Sequence, residues 1–162
     1  MKLKEKVVVI SGASQGFGKA LALKVAAEGA QVVLVARTEK LLKKLQTEIV
    51  KNGGRAQYFV CDIRDLVSVQ KTVSGILAEF QTIDVLVNNA GIWTDNEIEA
   101  KDPQRRQVAF DTNALGNIQF TTEVLPHFKA KNAGTIFNVI SVSGVSDSPA
   151  GSNRDWHTYG AT

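Results

Sequence analysis

The feature that most restricts the fold is a strict alternation of short apolar runs with helical stretches. Val7–Ile10 is a continuous, β-branched run closed by Gly12, the pattern of a strand buried on both faces. Residues 18–28 are rich in alanine and leucine and stop at Gly29, a glycine placed to end a helix. "QVVLVA", Gln31–Ala36, reads as a second buried strand. Leu41, Leu42, Leu45 and Ile49 then fall at helical spacing, and "NGG" closes that helix. "AQYFVCD" is a third strand, and Leu66, Val69, Val73, Ile76, Leu77 and Phe80 mark another amphipathic helix. "IDVLVNNAG" is a fourth strand running into a turn, residues 103–131 are mainly helical, and "GTIFNVIS" is a fifth strand. A helix between two strands returns the chain to a parallel neighbour, so the expected fold is one doubly wound α/β domain over residues 1–162.

Ligands on such sheets bind at the carboxyl ends of the strands. Those ends hold Ser11-Gly12, Ala36-Arg37, Cys61-Asp62, Asn89-Ala90-Gly91 and Ser141. The bulk sequence narrows the ligand. The net charge is only +3 and the lysines are scattered, so a nucleic-acid partner is not expected. Cys61 is the single cysteine, which excludes an internal disulfide and suits a reducing compartment. The basic start carries an apolar run too short for a signal-peptide core. No stretch approaches the ~18 apolar residues of a membrane span. A cytoplasmic protein without a metal site is the expectation.

"SGASQGFG", residues 11–18, fits two chemistries. Gly12-Ala13-Ser14-Gln15-Gly16 matches G-x-S-x-G, the turn that presents a nucleophilic serine in hydrolases. That turn follows a central strand, with an oxyanion donor from an earlier strand-to-helix loop. Here the turn follows the first strand, so no earlier loop exists to supply one. The phosphate reading fits better. Gly12 allows the tight turn, Gly16 leaves backbone N–H groups open to a pyrophosphate, and Gly18 lets the helix approach the sheet. The spacing, G-x-x-x-G-x-G, departs from G-x-G-x-x-G. NAD-preferring sites place a carboxylate at the end of the second strand. This chain has Ala36 followed by Arg37, whose planar fork suits the 2′-phosphate of NADP.

With these strand ends in view, the whole chain resembles the short-chain dehydrogenase/reductase (SDR) family. "SGASQGFG" resembles that family's T-G-x-x-x-G-x-G loop, with Ser11 in place of threonine. The resemblance implies cofactor contacts from Ser11, Gly12, Ser14, Gln15, Gly16, Phe17 and Gly18. "CDI" resembles the segment whose aspartate, Asp62, bonds the adenine amino group, with Ile63 beside the ring. "NNAG" resembles the family's turn after the fourth strand and adds Asn89, Ala90 and Gly91. Asn113 in "NALG", Ser141 in "FNVISVSG" and Tyr159 in "YGAT" match the catalytic set, with Ser143 a nearby competitor for the serine role.

The implied chemistry is hydride transfer between nicotinamide and a carbonyl or secondary alcohol, with NADP(H) preferred and NAD(H) also admitted. Tyr159 would be the general acid, Ser141 would orient the carbonyl oxygen, and Asn113 would help hold a relay water. Trp93 and Trp156 would either cover the pocket or sit on the surface, and Cys61 reads as a small core residue.

Two departures stand out. The stretch from Ser141 to Tyr159 is longer than is usual in the family. The sequence also stops at Thr162, one residue before the lysine of Y-x-x-x-K. A C-terminal carboxylate three residues from Tyr159 would raise a pKa that this lysine lowers. The resemblance thus implies a C-terminally truncated chain without the family's last strands and helices. It leaves the fifth strand as an exposed apolar edge and the family's homo-oligomer interface incomplete. The competing function is a catalytically inactive dinucleotide-binding module, acting as a sensor or scaffold.

Overall fold

The computed structural model describes residues 3–93 and 102–141. Five strands are present among them: β1 (Val7–Ser11), β2 (Gln31–Ala36), β3 (Arg55–Val60), β4 (Val85–Asn88) and β5 (Thr135–Asn138). All neighbours pair in parallel, in the order β3-β2-β1-β4-β5. Val9 stands opposite Val33 on one side and Leu86 on the other. The chain therefore winds outward from β1 through β2 and β3, then crosses to the far side of β1 as β4. The order reverses between β1 and β4, and there the connections leave a crevice.

Period-two alternation divides the sheet between two cores. Val8, Ile10, Val32 and Leu34 face α1 (Gly16–Ala27) and α2 (Glu39–Lys51), where they pack with Ala22, Val25, Leu42, Leu45 and Ile49. Val7, Val9, Val33 and Val35 join Val69, Val73 and Ile76 of α3 (Leu66–Phe80) on the other face. Phe120, Val124 and Phe128 complete that second core.

The element limits depart from the sequence expectation in physically readable ways. α1 opens two residues before the alanine-rich run, because Gly16 itself makes the turn into the helix. Leu41 is 37% exposed, since the buried stripe of α2 runs through Leu42, Leu45 and Ile49 and Leu41 lies to one side of it, about 75° round the helix from its centre. β3 stops before Cys61. There the Arg64 N–H bonds Asp62 Oδ1 at 3.1 Å and the Asp65 N–H bonds Asp62 O at 3.1 Å, turning the chain off the sheet.

The central helical segment has three parts. α4 (Pro103–Phe110) starts with Pro103 in its first turn and Asp102 accepting from the Gln104 N–H at 2.9 Å. A π-helical stretch, Asp111–Gly116, follows and leads into α5 (Asn117–Lys131). Such widened turns collect at functional sites, and this one carries Asn113.

Asp84 ties the foot of the sheet together. Its carboxylate accepts from the Val7 N–H at 2.9 Å, from Lys131 Nζ at 2.8 Å and from Lys6 Nζ at 3.3 Å. Burial pushes the Asp84 carboxyl up. Lys131, the Val7 amide and Lys6 together outweigh burial and hold it below the usual carboxylate range. A depressed native pKa stabilises the fold above the unfolded value of ~3.9, and that contribution is lost as pH falls through the native pKa. Asp84→Asn is therefore expected to lower the unfolding free energy by about 2 kcal/mol at neutral pH. The gap from the parent should shrink below about pH 4. Urea titrations at neutral pH and at pH values below that point would show a constant gap if the carboxylate contributes nothing.

β5 pairs with β4 alone among the described residues, and Phe137 and Ile140 are 52% and 80% exposed. Among the described residues, β5 is an exposed apolar edge.

Candidate functional site

A groove of about 330 Å³ opens where the strand order reverses. Its first wall is the β1–α1 turn, with Gly12, Ser14, Gln15, Gly16, Phe17 and Gly18. Ala36, Arg37 and Thr38 form the second wall after β2, and Cys61, Asp62 and Ile63 the third after β3. Asn89, Ala90, Gly91, Ile92 and Thr112 close it from the β4 side. Twelve strand-end and loop residues singled out in the sequence for cofactor contact thus meet on one groove: Gly12, Ser14, Gln15, Gly16, Phe17, Gly18, Arg37, Asp62, Ile63, Asn89, Ala90 and Gly91.

The glycines do different work. Gly12 has φ +66°, and a β-carbon there would lie 2.8 Å from Ala90 Cα. At Gly18 a β-carbon would lie 2.5 Å from Gly12 O. Gly16, at φ +56°, is the opposite case: a β-carbon would meet nothing within 4 Å. The first two are closed by the protein itself, and the third keeps open a space on the groove side of the turn. Gln15, at the N-cap of α1, makes no side-chain capping bond, and no acidic residue occupies the first turn. By contrast, α3 is capped by Asp65 and α4 by Asp102. The leading N–H groups of α1, with the positive end of the helix dipole, are thus left to an anion in the groove.

Ser11 stands apart from the other predicted contacts. It is fully buried and does not line the groove. Its Oγ donates to Val87 O at 3.3 Å and accepts from the N–H groups of Asn89 and Ala90, each at 3.0 Å. Asn89 returns the link, its Nδ2 donating to Ser11 O at 2.9 Å and Gly12 O at 3.3 Å. Asn88 Nδ2 donates to Thr121 Oγ1 and Asn138 Oδ1, fixing the end of β4 to α5 and β5. Ser11 thus shapes the groove from behind.

Arg37 is exposed, and among the described residues it pairs with no carboxylate. Asp62 does have a partner. Arg64 reaches its carboxylate through Nε at 3.0 and 3.2 Å and through Nη2 at 2.5 Å. The Arg64 guanidinium holds the Asp62 carboxyl below the usual range, against burial, with a smaller contribution from Arg37. Cys61 is buried, and burial pushes its thiol up, as suits a small core residue.

Asn113 does not line the groove. Its Oδ1 accepts from the Ile92 N–H at 2.7 Å and its Nδ2 donates to Ile92 O at 3.0 Å. This two-point clamp fixes the turn that follows Gly91. Asn117 braces the same turn, donating to Ala90 O at 3.0 Å and to Asn113 O at 2.8 Å. Ser141 is half-buried, three residues beyond β5. Tyr159, Ser143 and Trp156 lie outside the described residues; Trp93 is 41% exposed and is not part of the groove lining. Sequence reasoning missed Arg64 and Asn117. An arginine two residues after a turn aspartate, and an asparagine four residues after another on one helix, were the available signals.

An open parallel sheet wound both ways from β1, with a glycine-rich turn at its switch point, defines a Rossmann-type α/β protein. Residues 6–162 match the short chain dehydrogenase family, and the chain belongs to that family. An uncharacterized oxidoreductase of Listeria monocytogenes is 34% identical over the whole chain, which covers 63% of that protein. A metagenomic short-chain oxidoreductase solved in complex with NADP superimposes with a TM-score of 0.87 at 32% identity, over 99% of this chain and 71% of that one. An NAD+-bound xylitol dehydrogenase gives 0.89 at 27% identity, over 99% and 60%. The chain spans 42% to 66% of the length of curated relatives it matches. Among the described residues no helix is long and apolar enough to cross a membrane, and no cluster of metal-ligating side chains occurs.

Proposed function

We propose that this chain carries the cofactor site of an NADP(H)-preferring oxidoreductase acting on a carbonyl or secondary alcohol. One observation carries the reading: the glycine turn and uncapped start of α1 share a groove with Arg37, which pairs with no carboxylate among the described residues. The residues present fit a nicotinamide dinucleotide. The space beside Gly16 suits a pyrophosphate, Arg37 a 2′-phosphate, and Asp62 with Ile63 an adenine. When bound, the dinucleotide supplies the hydride. Ser141 would orient the substrate oxygen, Tyr159 would give it a proton, and Asn113 keeps the turn after β4 in place. The same cradle admits NAD(H), which has the same pyrophosphate and adenine.

Arg37→Glu tests the preference. A charge-assisted contact to phosphate contributes about 1.5–3 kcal/mol, so NADPH affinity should fall roughly 10- to 100-fold, with NADH affinity little changed. Calorimetric titration of both nucleotides reads this directly. Equal losses for the two would refute a 2′-phosphate role, and a parent chain that binds neither would remove the cofactor reading itself.

A further inference from the structure

We propose that Arg64 is a positioning residue: it aims the Asp62 carboxylate across the groove, and so makes the site select a 6-aminopurine. The inference rests on the dinucleotide reading above, and extends it to a residue that does not line the groove.

Three observations carry it. First, Arg64 grips both carboxylate oxygens of Asp62 through Nε and Nη2, and its backbone N–H adds a bond to Oδ1. A carboxylate held at three donors of one residue has one orientation. Second, three donor hydrogens make the grip, that of Nε shared between the two oxygens, against about four lone-pair sites, and Asp62 remains 32% exposed on the groove wall. The acceptor site left over belongs to a residue that lines the groove. Third, the loop bearing Arg64 is itself seated. Gln119 Nε2 donates to Arg64 O at 3.3 Å, and the negative Asp111 draws on the guanidinium. Between the two partners, Ile63 lies against Gly116, where a β-carbon would come within 2.7 Å of its side chain.

A fixed carboxylate accepts hydrogen bonds and donates none. It favours the exocyclic amine of adenine and opposes the carbonyl oxygen that hypoxanthine presents at the same place. A carboxylate free to turn away loses that discrimination.

The experiment compares NADPH with its hypoxanthine counterpart, by calorimetry, in the parent chain, R64Q and R64K. The parent should bind NADPH about tenfold more tightly, the worth of one charge-assisted hydrogen bond. In R64Q the ratio should fall to about 2, and in R64K, which keeps the charge without the fork, to an intermediate value. Melting temperatures report folding alongside. A parent-like ratio in a folded R64Q overturns the proposal; should R64Q not fold, a parent-like ratio in R64K overturns it. A parent that binds both nucleotides equally overturns it too, while the dinucleotide reading stands. A parent that binds neither overturns both.

Discussion

Gly18→Ala is expected to remove most dinucleotide binding, raising the dissociation constant at least about 100-fold, and to destabilise the fold by about 1–3 kcal/mol. The added β-carbon would lie 2.5 Å from Gly12 O and closer still to the Asn89 carboxamide. One of these is backbone, and the other is already held by Ser11 O and Gly12 O. Neither can swing aside as a flexible side chain would. Relief must come from lifting the start of α1 off the sheet, which moves the leading N–H groups away from the anion they face. Gly16→Ala is the informative comparison. A β-carbon there meets no protein atom, so its cost to the fold is the backbone conformation at φ +56°, on the order of 1–2 kcal/mol, while its effect on binding comes from filling the space left for the pyrophosphate. Thermal melting and calorimetric titration of both variants separate the effects. A Gly18→Ala protein with parent-like affinity would show that the contact between turn and β4 loop is not needed for binding.

Ser11→Ala should cost about 2–4 kcal/mol of unfolding free energy. The hydroxyl is fully buried and serves three partners: it accepts from two backbone N–H groups and donates to one carbonyl. Alanine fits the space but leaves the N–H groups of Asn89 and Ala90 without their acceptor. Weaker nucleotide binding should follow, although Ser11 does not line the groove, because Asn89 and Ala90 do. Urea unfolding with an unchanged slope would report the loss. A change within about 0.5 kcal/mol, the range of ordinary surface substitutions, would mean that the β4 loop holds its shape without the hydroxyl.

Much of the fold was legible because it depends on patterns of one or a few residues. Val7–Ile10 and Val32–Ala36 are apolar at every position, which only a strand covered on both faces requires. The groove was legible for a related reason: in a parallel sheet wound both ways, strand ends converge whatever the loops contain. Less legible was which of two neighbouring groups faces the ligand. Ser11 and Gly12 are adjacent, yet one is sealed behind the groove and the other forms its wall. The roles of Arg64 and Asn113 depended on side-chain pairing across 2 and 21 residues, which no periodicity announces. The π-helical turn at Asp111–Gly116 likewise left no mark in the spacing of apolar residues.

The interlock of the β1–α1 turn with the loop after β4 bears on how sequences of this kind can drift. Asn89 needs the empty side of Gly18, Ala90 needs the empty side of Gly12, and both need the Ser11 hydroxyl. A change at any one of these positions alters the effect of a change at the others, as is general for groups in contact. Two segments separated by 78 residues therefore form one unit of inheritance, which substitutions can leave only together.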